Sequence, residues 1–162
     1  MSKLSDDTNV LDLSLPGTHD SGALHSIADV AGKCQDIPIS SQLEIGVRFF
    51  DLRLQLVNDE FKIVHSFVDQ NLKFKSVAKD LYSFIKNNET EFLIISIKQE
   101  SDSINSNLSF EEALVRDLKP YEDVFMMNVS KLPENVGKAR SKIFILSRFS
   151  GEIGIPANSG WF

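Results

Sequence analysis

Apolar residues along this chain gather into short runs, with stretches of helical spacing between them. Five runs read as strands: Leu11–Leu15, Val47–Leu54, Phe61–Phe67, Phe92–Lys98 and Lys142–Arg148. Several are rich in Ile, Leu, Val and Phe on both faces, as buried parallel strands are. Asn58-Asp59, between the second and third runs, predicts a tight turn and a hairpin-like exception to parallel order. Phe74, Val77, Ala78, Leu81, Phe84 and Ile85 fall on one face of a helix ending near Asn87-Asn88. Ser109 with Glu112 predicts a capping box before Ala113, Leu114 and Leu118, and Pro120 ends that segment. Ser41 with Glu44 predicts a shorter capped helix before Gly46, and Ser101–Leu108 reads as a polar loop. Strands alternating with helices point to a parallel α/β fold in one domain, without internal repeats.

Composition narrows the partners. The 162 residues carry a formal net charge of −6 with no block of Lys or Arg. That argues against nucleic acid and against tight electrostatic adhesion to anionic membranes, and leaves room for a local basic site. Cys34 is the only cysteine, which excludes an intrachain disulfide and a Cys-rich zinc site. The N-terminus is polar without an apolar signal core, and no run approaches membrane-spanning length. The expectation is a soluble chain, cytoplasmic or secreted after processing. Nothing in the sequence sets an oligomeric state.

The chemistry begins at Leu15-Pro16-Gly17-Thr18-His19-Asp20-Ser21-Gly22, where an apolar run (Leu11, Leu13, Leu15) stops at a breaker and a titratable pair follows. Phe49, Asp51 and Arg53 share one face of the second strand. An Asp and an Arg there read either as a self-satisfied ion pair or as an Arg aimed at an anion. His65 lies near the end of the third strand, Lys98 ends the fourth and Arg148 the fifth. In a parallel α/β barrel the active site forms at the carboxyl ends of the strands, so all seven would meet on one rim. Two histidines with cations suit phosphodiester cleavage, one imidazole taking a proton and the other giving one while Arg holds the charge on phosphorus.

The set Leu15–Gly22, Val47-Arg-Phe-Phe-Asp51-Leu-Arg53, Ile63-Val-His65 and Ile95-Ser-Ile-Lys98, extended by Leu146-Ser-Arg148-Phe-Ser-Gly151, resembles the X domain of phosphatidylinositol-specific phospholipase C. The likeness is closer to the bacterial and X-domain-only members. It implies a distorted TIM (β/α)8 barrel and attack by the inositol 2-hydroxyl, giving diacylglycerol and a 1,2-cyclic inositol phosphate. By resemblance His19 is the general base, and His65, assisted by Asp20, the general acid. Arg53 is the phosphate ligand with Asp51 orienting it, and Lys98 and Arg148 hold inositol hydroxyls. The partner implied is a phosphatidylinositol-type lipid at a membrane surface.

Calcium-binding members of the superfamily carry acidic residues where this chain has Arg53 and Lys98. Two cations cannot ligate a divalent ion, so a metal-independent site without cofactor is expected. The chain holds about five of the strands of a barrel that typically needs about 250 residues. The ending on Gly160-Trp161-Phe162, with no final helix or polar tail, reads as a cut. The resemblance also implies a carboxylate for His19 from later strands. An open sheet of this kind is expected to expose barrel-interior side chains and a bare edge. Two rival readings are another TIM-barrel phosphodiesterase, of glycerophosphodiester or sphingomyelin type, and an inactive half-barrel that binds phospholipid headgroups.

Overall fold

The computed structural model describes residues 1–26 and 32–157. Its centre is a twisted sheet built on β2 (Phe49–Val57), β5 (Leu93–Gln99) and β7 (Ile143–Arg148), all parallel. β1 (Gly17–Thr18) pairs in parallel with Phe49 and Phe50, at the start of β2. Beyond that point β2 turns through Asn58-Asp59 into β3 (Glu60–His65), which runs antiparallel to it and pairs with β4 (Val68–Lys73). Both turn residues have positive φ, 52° and 60°, the left-handed geometry that two-residue hairpin loops require. β6 (Phe125–Met126) and β8 (Ile155–Pro156) both pair with β7, at its start and near its end.

The first three helices pack on one face of this sheet, and the fourth joins the apolar cluster on the other. α1 (Ile39–Glu44) and α2 (Phe74–Asn87) precede β2 and β5, while α3 (Phe110–Leu118) and α4 (Val136–Ala139) lie between β5 and β7. The apolar face of α2 sets Val77, Ala78, Leu81 and Ile85 against Leu52, Leu54, Ile95 and Ile97, all buried. At α3 the capping box forms as read: Ser109 accepts from the Glu112 amide, and the Glu112 carboxylate accepts from the Ser109 amide. The short helix before Gly46 is not capped by Ser41. It starts at Ile39 with Pro38, in extended backbone, as the cap residue and without a side-chain cap hydrogen bond.

The first predicted strand is displaced. Val10–Asp12 is a 3-10 turn, capped by Asn9 Oδ1, which accepts from the Leu11 amide at 2.9 Å. The strand falls instead at Gly17–Thr18, held by backbone pairing that no apolar pattern announces. β4 lies where the sequence reading placed none, because its alternation (Val68 and Gln70 buried, Asp69 and Asn71 exposed) uses polar residues on both faces.

Residues 1–15 lie across the second face of the sheet. Val10, Leu13 and Leu15 join Phe92, Ile94, Val136 and Phe144 in a second apolar cluster. Ile94, Ser96 and Phe144 are therefore buried, and the expectation of exposed barrel-interior side chains does not hold for them. The amino-terminal segment covers what an open sheet would leave bare.

Candidate active site

Strand alternation and register assemble the site. On the inner face Asp51, Ser96 and Leu146 sit side by side across β2, β5 and β7. One step toward the carboxyl ends, Arg53, Lys98 and Arg148 form the next row. Three cations in register repel one another unless carboxylates separate them, and the neighbouring groups are carboxylates.

Asp20 and Asp51 come from opposite sides to meet that row. The loop after β1 is clamped to β2: the Ser21 amide donates to the Asp51 carbonyl at 2.8 Å, and the Asp51 amide to Ser21 Oγ at 2.8 Å. Buried Gln42 donates to the Ser21 carbonyl at 2.8 Å, and Gln35 to the His19 carbonyl at 2.6 Å. Asp20 takes a left-handed φ of 44°, which Asp tolerates better than most residues. Gly22 packs so closely on β3 that a Cβ there would lie 2.7 Å from Ile63 Cγ2.

The buried Asp20 carboxylate is the hub. Its Oδ1 lies 2.6 Å from Arg53 Nε; its Oδ2 lies 3.1 Å from His19 Nε2 and 3.3 Å from His65 Nε2. Asp51 Oδ2 stands 3.3 Å from His19 Nδ1 and 3.4 Å from Arg53 Nε, while its Oδ1 accepts from Arg148 at 3.3 Å. His19 thus touches two carboxylates of this chain. His65 ends β3, and Ser66, with a positive φ of 54°, turns the chain away beyond it.

Charge balance follows from these contacts. Burial pushes the Asp20 carboxyl above its ordinary value; Arg53 works against that and Asp51 adds to it. Burial disfavours the Arg53 cation, but Asp20, Asp51 and Glu100 outweigh it and hold the guanidinium more firmly charged than usual. Glu100 stays below its ordinary value despite burial, because Lys98 and Arg53 hydrogen-bond to it.

All seven residues singled out from the sequence meet here. Glu100 was missed. Its Oε2 lies 2.6 Å from Lys98 Nζ and its Oε1 3.4 Å from Arg53 Nη1. The period-two spacing from Lys98 could have found it. Cys34, whose Sγ lies 3.9 Å from Asp20 Oδ2, gave no such signal. The site opens to solvent on both sides of Glu100. A cleft of about 390 Å³ is lined there by Gln99, Glu100 and Arg148 among others, and one of about 420 Å³ by Gln55, Ser66 and Phe67 with Glu100.

Arg53 and Lys98 are ion-paired with Asp20 and Glu100, where a hard cation such as calcium would need about 6–8 oxygen ligands.

Two imidazoles, two buried carboxylates and a row of three cations across the parallel strands β2, β5 and β7 make up the site. The family model for the phosphatidylinositol-specific phospholipase C X domain matches residues 17–148, and the chain belongs to that family. It is 31% identical over 172 residues to the 1-phosphatidylinositol phosphodiesterase of Listeria monocytogenes, covering 100% of this chain and 52% of that protein. The enzyme of that name from Staphylococcus aureus is 29% identical over 162 residues, covering 93% and 51%. The chain therefore spans about half the length of the curated relatives it matches. A solved Staphylococcus aureus phosphatidylinositol-specific phospholipase C superposes with a TM-score of 0.86 at 24% identity, over 99% of this chain and 58% of that one. The Listeria monocytogenes structure gives 0.78 at 27%, over 96% and 60%. The mixed α/β sheet is a partial region of the TIM barrel of those bacterial enzymes. No described helix is long and apolar enough to cross a membrane.

Proposed function

We propose that this chain carries the acid–base and phosphate-binding part of a phospholipase C site that cleaves phosphatidylinositol-type lipids at a membrane surface. One observation carries the reading: a single buried carboxylate, Asp20, touches two imidazoles and a guanidinium at 3.3 Å or less. Neutral His19 takes the proton of the inositol 2-hydroxyl, and the oxygen attacks phosphorus. As the bond to diacylglycerol breaks, His65 returns a proton to the leaving oxygen, leaving a 1,2-cyclic inositol phosphate. Asp51, accepting from His19 Nδ1–H, keeps the ring aimed and serves the base from within the chain. Arg53 balances charge on the phosphoryl oxygens, and Lys98 and Arg148 face the inositol hydroxyls. The fixed guanidinium supplies the electrostatic stabilisation that calcium gives other members, so the site works without metal.

The test is release of diacylglycerol from phosphatidylinositol vesicles, against phosphatidylcholine and sphingomyelin, with chelator present throughout. Turnover on phosphatidylinositol alone is expected. His19→Ala and His65→Ala should each lower it about 10²–10⁴-fold, the usual range for a lost general acid or base. Binding without turnover, unchanged by either substitution, overturns the catalytic reading; loss of activity with chelator overturns metal independence.

A further inference from the structure

One group beside the proposed site has no part in the cleavage. Cys34 Sγ lies 3.9 Å from Asp20 Oδ2, on the opposite carboxylate oxygen from the one facing Arg53. A ring nitrogen of His19, a carboxylate oxygen of Asp20 and the Cys34 sulfur all lie within 4.8 Å of one another. We propose that His19, Asp20 and Cys34 form a site for one thiophilic divalent cation such as Zn²⁺, and that filling it silences the enzyme.

The donor set is one nitrogen, one oxygen and one sulfur, which zinc accepts and calcium or magnesium does not. Tetrahedral zinc with bonds of about 2.0–2.3 Å sets its ligand atoms about 3.3–3.6 Å apart. The His19–Asp20 and Asp20–Cys34 separations of 3.1 and 3.9 Å bracket that edge. The third edge, between His19 and Cys34, is no longer than 4.8 Å, and both residues are exposed. The backbone is already set: the Cys34 amide donates to the Ala23 carbonyl at 2.8 Å, tying the cysteine to the loop that carries His19 and Asp20. With Nε2 turned to the metal, His19 Nδ1 keeps Asp51 Oδ2 at 3.3 Å, the outer carboxylate that metal-binding imidazoles commonly have. Asp51 also offsets the nearby Arg53 charge. The fourth position is left for water.

Binding exchanges the Cys34 S–H bond for a metal–thiolate bond and releases one proton. The cation would occupy the lone pair His19 needs and the Asp20 oxygen that faces His65. The binding stands on geometry; the silencing rests on the catalytic reading above.

The test uses the full chain with Zn²⁺ in calorimetry and Cd²⁺ in ultraviolet absorption. Expected are one ion per chain, a thiolate-to-metal charge-transfer band and no competition from Ca²⁺ or Mg²⁺. Cys34→Ser should abolish the band and weaken Zn²⁺ binding by at least the roughly 10–100-fold that losing an outer-shell partner costs. On phosphatidylinositol vesicles Zn²⁺ should stop the wild-type chain reversibly by chelator, and leave Cys34→Ser at its own zinc-free rate. Absence of the band in the wild-type chain, or Zn²⁺ affinity unchanged in Cys34→Ser, overturns the site. Turnover that persists at saturating Zn²⁺ overturns the silencing. A chain that shows the band but cleaves no phosphatidylinositol upholds the site and overturns the catalytic reading.

Discussion

Asp20 is held between opposing demands. Its neighbours need it charged, while its burial favours the neutral carboxyl, and the balance lies toward a raised pKa. The folded chain therefore keeps a proton on Asp20 over a pH range in which the unfolded chain has lost it. The stability from that proton is fully present below the ordinary carboxylate value and is lost as pH rises through the folded value. Asparagine has the same shape and no titration. The stability of the wild-type chain relative to Asp20→Asn should therefore fall as pH rises above the ordinary carboxylate range. Urea midpoints of both proteins across that range measure it. A difference that grows with pH would place the Asp20 pKa below its ordinary value and contradict this account. Asp51 and Arg53 were legible as partners because a strand puts alternate residues on one face. Asp20 was legible only as sharing their rim, not in its direct contacts, because a loop 31 residues away in sequence supplies them.

Among the elements, the β1 loop and β3 share one tight contact. Gly22 lies against Ile63, and the two segments carry His19 and His65. Gly22→Ala drives a Cβ to 2.7 Å from Ile63 Cγ2, so loop or strand must shift. Overpacking of this kind costs about 1–3 kcal/mol, read as a lower urea midpoint, and turnover should fall with it because both histidines ride on the displaced segments. In an Ile63→Ala background, which removes Cγ2, the same substitution should cost less; equal costs would mean the two residues do not couple. Strands with apolar residues on both faces, β2, β5 and β7, were readable from the sequence, as were α2 by its period and α3 by its cap. β1 was not, since two residues paired by backbone leave no side-chain pattern. β4 was not either: Gln70 is buried through its hydrogen bonds to the His25 and Gly32 carbonyls, a burial that hydrophobicity does not encode.

On the scale of the molecule, the sheet divides the chain into two apolar clusters, and the amino-terminal segment decides whether the second stays closed. Read as a strand, Leu11, Leu13 and Leu15 would point inward together. The 3-10 turn rotates the chain so that Val10 is 5% exposed and Leu11 77%. These adjacent residues give opposite expectations. Val10→Asp places a charge among Phe92, Ile94 and Phe144 without a partner, which costs several kcal/mol unless the segment peels away. The expected result is a large drop in urea midpoint together with new binding of a hydrophobic dye to the uncovered face. Leu11→Asp stands in solvent and should stay within about 0.5 kcal/mol of the parent chain, as surface substitutions do. The reverse ranking would restore the strand reading of Leu11–Leu15. Equal, small effects would mean that residues 1–15 do not cover the sheet, and the inner face that positions Asp51 and Arg53 would then need another cover.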